Sequence, residues 1–200
     1  MSNTDVKKDF AEFGKKAQIL AILSLIMFIM GIVGFIVPVV SYISIVFLVI
    51  YVIFLILALG NIKNAANKLN NQDLFTFRSR IIIALILALI GFLFFTIGIG
   101  GIIAIAYGPD AGSPQAVGGY IAFGIMILIA IVVLIIALIM EILGWSSLRR
   151  FFKANKSMFP EKIVSNAETA CLLLMLGIIP IIGPLLRIIG YFLLSNLREL

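Results

Sequence analysis

Histidine is absent from this 200-residue chain, cysteine occurs once, and charged residues make up only 12% of it. Each scarcity removes a class of function. Without histidine, the common zinc sites and proton shuttles lose their usual side chain. A lone Cys171 makes no internal disulfide and no thiolate cluster, and without a base beside it reads as a small hydrophobe. No Asp, Glu or Ser cluster has the spacing that brings such groups onto one face. The sequence therefore assigns no catalytic residue, no metal ligand and no cofactor, and the chain reads as a non-enzyme. No glycine pattern opens a helix after a strand, which excludes a nucleotide loop.

What is present is oil. Hydrophobic residues make up 63% of the chain, and the 12% of charged residues is about half the ~25% that a soluble domain carries. No charged residue occurs from Ala17 to Gly60, from Ile81 to Tyr107 or from Tyr120 to Met140. A spanning helix needs ~20 apolar residues to cross ~30 Å of hydrocarbon. The first tract is long enough for two crossings, and too long for the apolar core of a signal peptide. The fold class is an all-α, polytopic transmembrane helical bundle.

Five spans are expected, near 17–38, 42–60, 79–106, 120–143 and 165–187. They form one transmembrane domain over 17–200, after a cytoplasmic segment at 1–16. Pro38 breaks the first tract, because proline removes a donor and restrains its predecessor. Residues 107–119, with two prolines and four glycines, read as an irregular external loop. Ser165-Asn-Ala-Glu168 fits a capping box opening the fifth span. That span meets Pro180-Ile-Ile-Gly-Pro184, where two readings compete. One is a single kinked helix with Arg187 snorkelling at the far interface, followed by an interfacial tail. The other is a hairpin, giving six segments; its outbound arm, 169–182, would be only ~21 Å at 1.5 Å per residue. The single span is the preferred expectation.

Lys7, Lys8, Lys15, Lys16, Lys63, Lys68, Arg78, Arg80, Arg149, Arg150, Lys153, Lys156 and Lys162 all fall on one side of this topology. By the positive-inside rule that side is cytoplasmic, N-terminus included, in a multi-pass protein of the cell membrane. The net charge of +6 thus points to anionic lipid as partner, not to nucleic acid.

The linkers 61–78 and 144–164 resemble each other. Gly60/Gly144, Asn71/Asn155 and Leu74-Phe75/Met158-Phe159 align at a constant offset, which suggests a parallel repeat of a membrane hairpin. Both linkers are amphipathic. Ile62, Ala65, Ala66 and Leu69 form a stripe opposite Lys63 and Lys68, and Trp145, Leu148 and Phe152 form one beside Arg149, Arg150 and Lys153. The helices are expected to run on past the bilayer and turn at Asn70–Asp73 and Asn155–Ser157. Trp145, Phe152, Arg149, Arg150, Lys153, Lys156, Lys63 and Lys68 are the candidate lipid-headgroup contacts, since aromatic and basic residues anchor membrane interfaces. Gly31, Gly34, Gly98, Gly100 and Ala104 are candidate helix-packing positions, where small side chains admit a neighbouring backbone. The same faces would serve a second copy of the chain or another membrane protein.

The exit Ala58-Leu-Gly-Asn-Ile-Lys63, the re-entry Phe75-Thr-Phe-Arg78 and the turn Gly177-Ile-Ile-Pro-Ile-Ile-Gly183 resemble small archaeal integral membrane proteins of unknown function. That resemblance brings no activity and no site residue. The expected function is a scaffold or accessory subunit acting through lipid or protein association. The alternative is an oligomeric channel, or a transporter of an apolar or small solute.

Overall fold

The computed structural model describes residues 3–34, 36–37, 39–108, 113–179 and 182–200. It is all-α: α1 (Asn3–Gly34), α2 (Val39–Leu69), α3 (Gln72–Ala106), α4 (Pro114–Ala154), α5 (Glu161–Leu176) and α6 (Gly183–Leu194), with short 3-10 turns at Lys156–Met158 and Ser195–Glu199. Helices α1 to α4 are long and apolar enough to cross a membrane, so the chain is a membrane protein. Where the sequence implies one domain over 17–200, contacts gather into two units: Met1–Ser79 with Ile142–Leu200, and Arg80–Glu141.

In the first unit, burial is uneven along the helices, and the solvent explains why. Within the charge-free tract of α2, Ile45, Val46, Val49 and Ile53 are exposed; hydrocarbon is as apolar as these side chains and gives helices no hydrophobic reason to hide them. Beyond the tracts, water does. There Phe10, Ile62, Leu74, Phe77, Trp145, Leu148, Phe151 and Phe152 are all buried. Phe10 of α1 stacks on Phe151 of α4 (centroids 5.4 Å, planes 14° apart) and meets Phe159 edge-on at 5.2 Å. The amphipathic linker stripes are thus the core of a helical bundle outside the apolar belt.

The turn between α2 and α3 lies where the sequence expects it, and its chemistry is local. Asn70 is left-handed, with φ 47°. The Asn71 amide reaches back to the Ala66 carbonyl at 3.1 Å and the Asn70 amide to Asn67 at 3.4 Å, the double closure of a Schellman end. The Asn71 side chain then accepts the Leu74 amide at 3.2 Å, capping α3. The second turn follows α4 at Asn155, also as expected. The return helices differ, however: α3 has 35 residues and α5 has 16. The two linkers turn at corresponding places but by different geometry, since Asn155 has φ −117° and opens a 3-10 turn, and the hairpins around them differ.

The C-terminal segment takes the hairpin alternative, not the preferred single kinked span over 165–187. α5 ends at Leu176 and α6 starts at Gly183. A Cβ on Gly190 would sit 2.8 Å from Leu174 and 3.2 Å from the Ala170 carbonyl, and one on Gly183 would strike the Gly177 backbone; the two helices therefore run side by side in opposite directions. Glycine makes this close return feasible. Ser165 lies inside α5, whose N-cap is Pro160, so it does not cap a helix. Nor does the tail lie loose at an interface: Leu194 and Leu197 are buried, the backbone at Leu197 and Arg198 crosses Gly14 of α1 too closely for a Cβ, and Arg198 donates to Gln18 Oε1 at 2.6 Å. Two of the turn prolines singled out in the sequence, Pro38 and Pro180, fall outside the described residues, as do loop positions 109–112.

In the second unit, α3 and α4 pack along one seam. A Cβ on Gly91 would meet Leu134 at 2.8 Å, one on Gly98 would meet Ile127 at 2.6 Å, one on Gly101 the Phe123 ring at 2.5 Å, and one on Gly119 would meet Ile105 at 2.5 Å. Gly91, Gly98 and Ile105 recur every seven residues, the spacing of a left-handed antiparallel seam. Of the expected packing positions, Gly98 is therefore in contact. Gly100 and Gly31 have nothing within 4 Å of an added Cβ, Ala104 is exposed, and Gly34 ends α1. The irregular loop is shorter than 107–119, because α4 begins at Pro114. Ser113 Oγ accepts the Ala116 amide at 3.1 Å and proline fits the first helical position.

Candidate functional site

The eight headgroup candidates gather in the first unit, at the ends of α2 and α4, but they divide by environment. Trp145 and Phe152 are 1% and 0% exposed. Trp145 packs on Phe77 at 5.0 Å and on Tyr191 at 6.0 Å, and Phe152 on Phe10 at 5.7 Å. These two rings are core, with no surface left for a headgroup. Three cations join helices: Lys68 pairs with Asp9 of α1 at 2.7 Å, Arg150 with Asp73 of α3 at 3.3 Å, and Lys156 with Glu168 of α5 at 3.5 Å. Lys63 and Lys153 are exposed and enter none of these ion pairs.

Arg149 and Lys156 line a groove of about 460 Å³ along α5, with Glu161, Ser165, Glu168 and Thr169 on its other walls and Leu172 at one edge. Its charges are mixed, and its polar groups suit a zwitterionic or phosphate-bearing ligand beside the apolar belt.

A second cavity, about 600 Å³, lies at the tip of the α5–α6 hairpin. α1 contributes Ser24 and Gly31 to its wall, α2 contributes Leu48 and Tyr51, and the hairpin contributes Gly177 and Arg187. Helical rise gives its depth. Phe28, also in the wall, is ten residues from Gln18, ~15 Å; Tyr51 is twelve from Lys63, ~18 Å; and Gly177 is fifteen from Lys162, ~22 Å. The tip thus lies ~15–22 Å along the helices from these polar residues, less than the ~30 Å of a hydrocarbon core. Arg187 sits on the returning helix, just past the fold-back.

Irregular backbone at such depth is stable only when buried in protein or lining a cavity. Here it does the latter, and its ends are satisfied locally. Arg187 Nε donates to the Gly177 carbonyl at 3.1 Å, answering an orphan acceptor at the end of α5, and the Gly183 amide donates to Ile179 at 2.7 Å. Arg187 was singled out in the sequence as a charge at a span end; its pairing with the turn was hidden because that requires the fold-back. Tyr51 and Ser24, uncharged and isolated in apolar runs, gave no signal of a shared site.

The described residues contain no group of three or more His, Cys, Asp or Glu placed to hold a metal ion. Compared with family models, with curated proteins and with solved structures, the chain matches none.

Proposed function

We propose that this chain is a non-enzymatic, multi-pass protein of the cell membrane, with its N-terminus and charged end in the cytoplasm, that works as a scaffold or accessory subunit by associating with anionic lipid. The observation that carries the reading is the exposure of Lys63 and Lys153 on helix ends where Lys68, Arg150 and Lys156 are held in interhelix pairs. Helical rise puts Lys63 ~5 Å beyond Gly60 and Lys153 ~20 Å beyond Met140; a Lys close to an anionic leaflet is worth ~1 kcal/mol, and one farther out less, since the attraction falls off within a Debye length. The groove beside Arg149 and Lys156 offers such a lipid a place for its phosphate, with Leu172 at the acyl end.

The test is reconstitution of the full chain in nanodiscs of phosphatidylcholine with and without phosphatidylglycerol. Phosphatidylglycerol is expected to raise the unfolding temperature, and the rise is expected to shrink in Lys63→Gln/Lys153→Gln and at high salt, as screened charge requires. An unfolding temperature indifferent to headgroup charge would count against the proposal.

A further inference from the structure

We infer that the groove along α5 is a site for a phosphoethanolamine-type headgroup, with its phosphate at Arg149 and its primary ammonium at Glu161. This assignment rests on the proposal above that the groove takes a lipid's phosphate, and it names the group attached to that phosphate.

The helix itself lays out the site. Ile163, Ala167, Ala170, Cys171 and Leu174 are buried and turn one side of α5 to the core. Glu161, Ser165, Glu168 and Leu172 recur every three or four residues, so they share another side, and all four line the groove. One helix face thus runs from charge through hydroxyl to hydrocarbon over ~16 Å of helical rise. Arg149 of α4 and Lys156 of the turn after it contribute the cations. The volume of about 460 Å³ lies within the usual range for a small-molecule site, roughly 300–1,000 Å³.

Charge decides the ligand. Lys156 Nζ lies 3.5 Å from Glu168 Oε1, so these two compensate each other. Arg149 and Glu161 enter none of the ion pairs formed among the described residues. Arg149 is half-buried, and its Nε is buried with no acceptor from the protein. A guanidinium cannot shed its proton, so a partly desolvated one is stabilised by an anion brought from outside. Its planar fork matches phosphate oxygens, and Ser165 and Thr169 add exposed hydroxyls to the same groove.

Glu161 is the remaining charge. It is exposed, and a carboxylate accepts hydrogen bonds but donates none. A primary ammonium on the ligand supplies both the donors and the opposite charge. The groove's two cations and two carboxylates cancel, so a ligand with one charge of each sign leaves it neutral. A simple anion answers Arg149 and leaves Glu161 unmatched. Leu172, at the end of the face and 37% exposed, gives an acyl chain a surface to follow.

The experiment uses the full chain in neutral detergent, with phosphatidylethanolamine tritiated in its acyl chains as probe. Phosphatidylglycerol of the same chains and free phosphoethanolamine are the competitors. Saturable binding at one per chain is expected, with phosphatidylglycerol about threefold weaker than unlabelled phosphatidylethanolamine. Arg149→Gln is expected to weaken both lipids about tenfold, as loss of a charge-assisted contact does. Glu161→Gln is expected to weaken phosphatidylethanolamine about threefold, the scale of an exposed charge pair, and to leave phosphatidylglycerol unchanged. Full displacement by phosphoethanolamine would assign the same chemistry to a soluble ligand; its failure beside intact lipid binding assigns it to the membrane. Should Arg149→Gln misfold, Ser165→Trp, at an exposed position in the middle of the groove face, is expected to block the groove and abolish binding. Binding untouched by a folded Arg149→Gln or by Ser165→Trp would overturn the groove as a phosphate site, and this inference with it. Groove-dependent binding in which Glu161→Gln changes both lipids equally, or neither, would overturn the headgroup assignment alone.

Discussion

The hydroxyls of Tyr51 on α2 and Tyr191 on α6 lie 2.7 Å apart, with their rings edge-on at 6.2 Å. The bond fastens the returning arm of the hairpin to α2. Each of Tyr51→Phe and Tyr191→Phe is expected to lower stability by ~1 kcal/mol, the worth of a typical hydrogen bond. The double variant is expected to cost less than the sum of the two, because the singles remove the same bond. Thermal unfolding of the four proteins in one detergent reads this directly; strict additivity would mean that the two hydroxyls act separately.

Aromatic residues of the charged end are core, and that has a measurable signature. Trp145→Ala is expected to cost ~3–5 kcal/mol, as for other buried aromatics, and Phe152→Ala a similar amount. Lys153→Gln, on the same helix but exposed, is expected to stay within ~0.5 kcal/mol in neutral detergent. Interface anchors would behave differently, with Trp145→Ala changing lipid partitioning and leaving detergent stability unaltered.

Neighbouring glycines of α3 separate packing from propensity. At Gly98 an added methyl meets Ile127 at 2.6 Å and the Phe123 carbonyl at 3.2 Å; at Gly100 it meets nothing within 4 Å. Gly98→Ala is expected to destabilise, by ~1–3 kcal/mol for overpacking. Gly100→Ala is expected to be neutral, or stabilising by up to ~1 kcal/mol through helix propensity. A loss at Gly100 in the absence of lipid would instead indicate a helix contact made by a second copy.

Gly14 is the point where the tail docks on α1. A methyl group there collides with the backbone of Leu197 and Arg198, which cannot move aside as a flexible side chain can. Gly14→Ala is therefore expected to release the last residues: limited carboxypeptidase digestion should shorten the variant and spare the wild type. Equal resistance would show that the tail holds without this contact.

Much of the architecture was legible because its causes are local. Charge-free tracts of spanning length gave α1 to α4. The amphipathic run 62–69 followed by Asn70 and Asn71 gave the first turn, since asparagine tolerates the left-handed conformation and caps the next helix. The misreadings arose where a residue's neighbour comes from far along the chain. A stripe such as Trp145, Leu148 and Phe152 states that something apolar covers it, but not whether this is lipid or three other helices. The hairpin was disfavoured because its arm is too short to cross; a segment that re-enters has no need to cross, and glycines at 177, 183 and 190 let it fold back. The cavity was invisible for the same reason, since Ser24, Tyr51 and Arg187 come from three separate helices.

The fold-back of α6 is tested most directly by the side of the membrane on which residue 198 emerges. In a Cys171→Ala background, single cysteines at Tyr107, Arg150 and Arg198 are probed in sealed vesicles with a membrane-impermeant maleimide. Cys171 is fully buried and Tyr107 is 89% exposed, so the background is silent and the reporter open. A re-entrant hairpin requires positions 150 and 198 to label from one side and position 107 from the other. Labelling of position 198 together with 107 would contradict it, and would restore a fifth crossing.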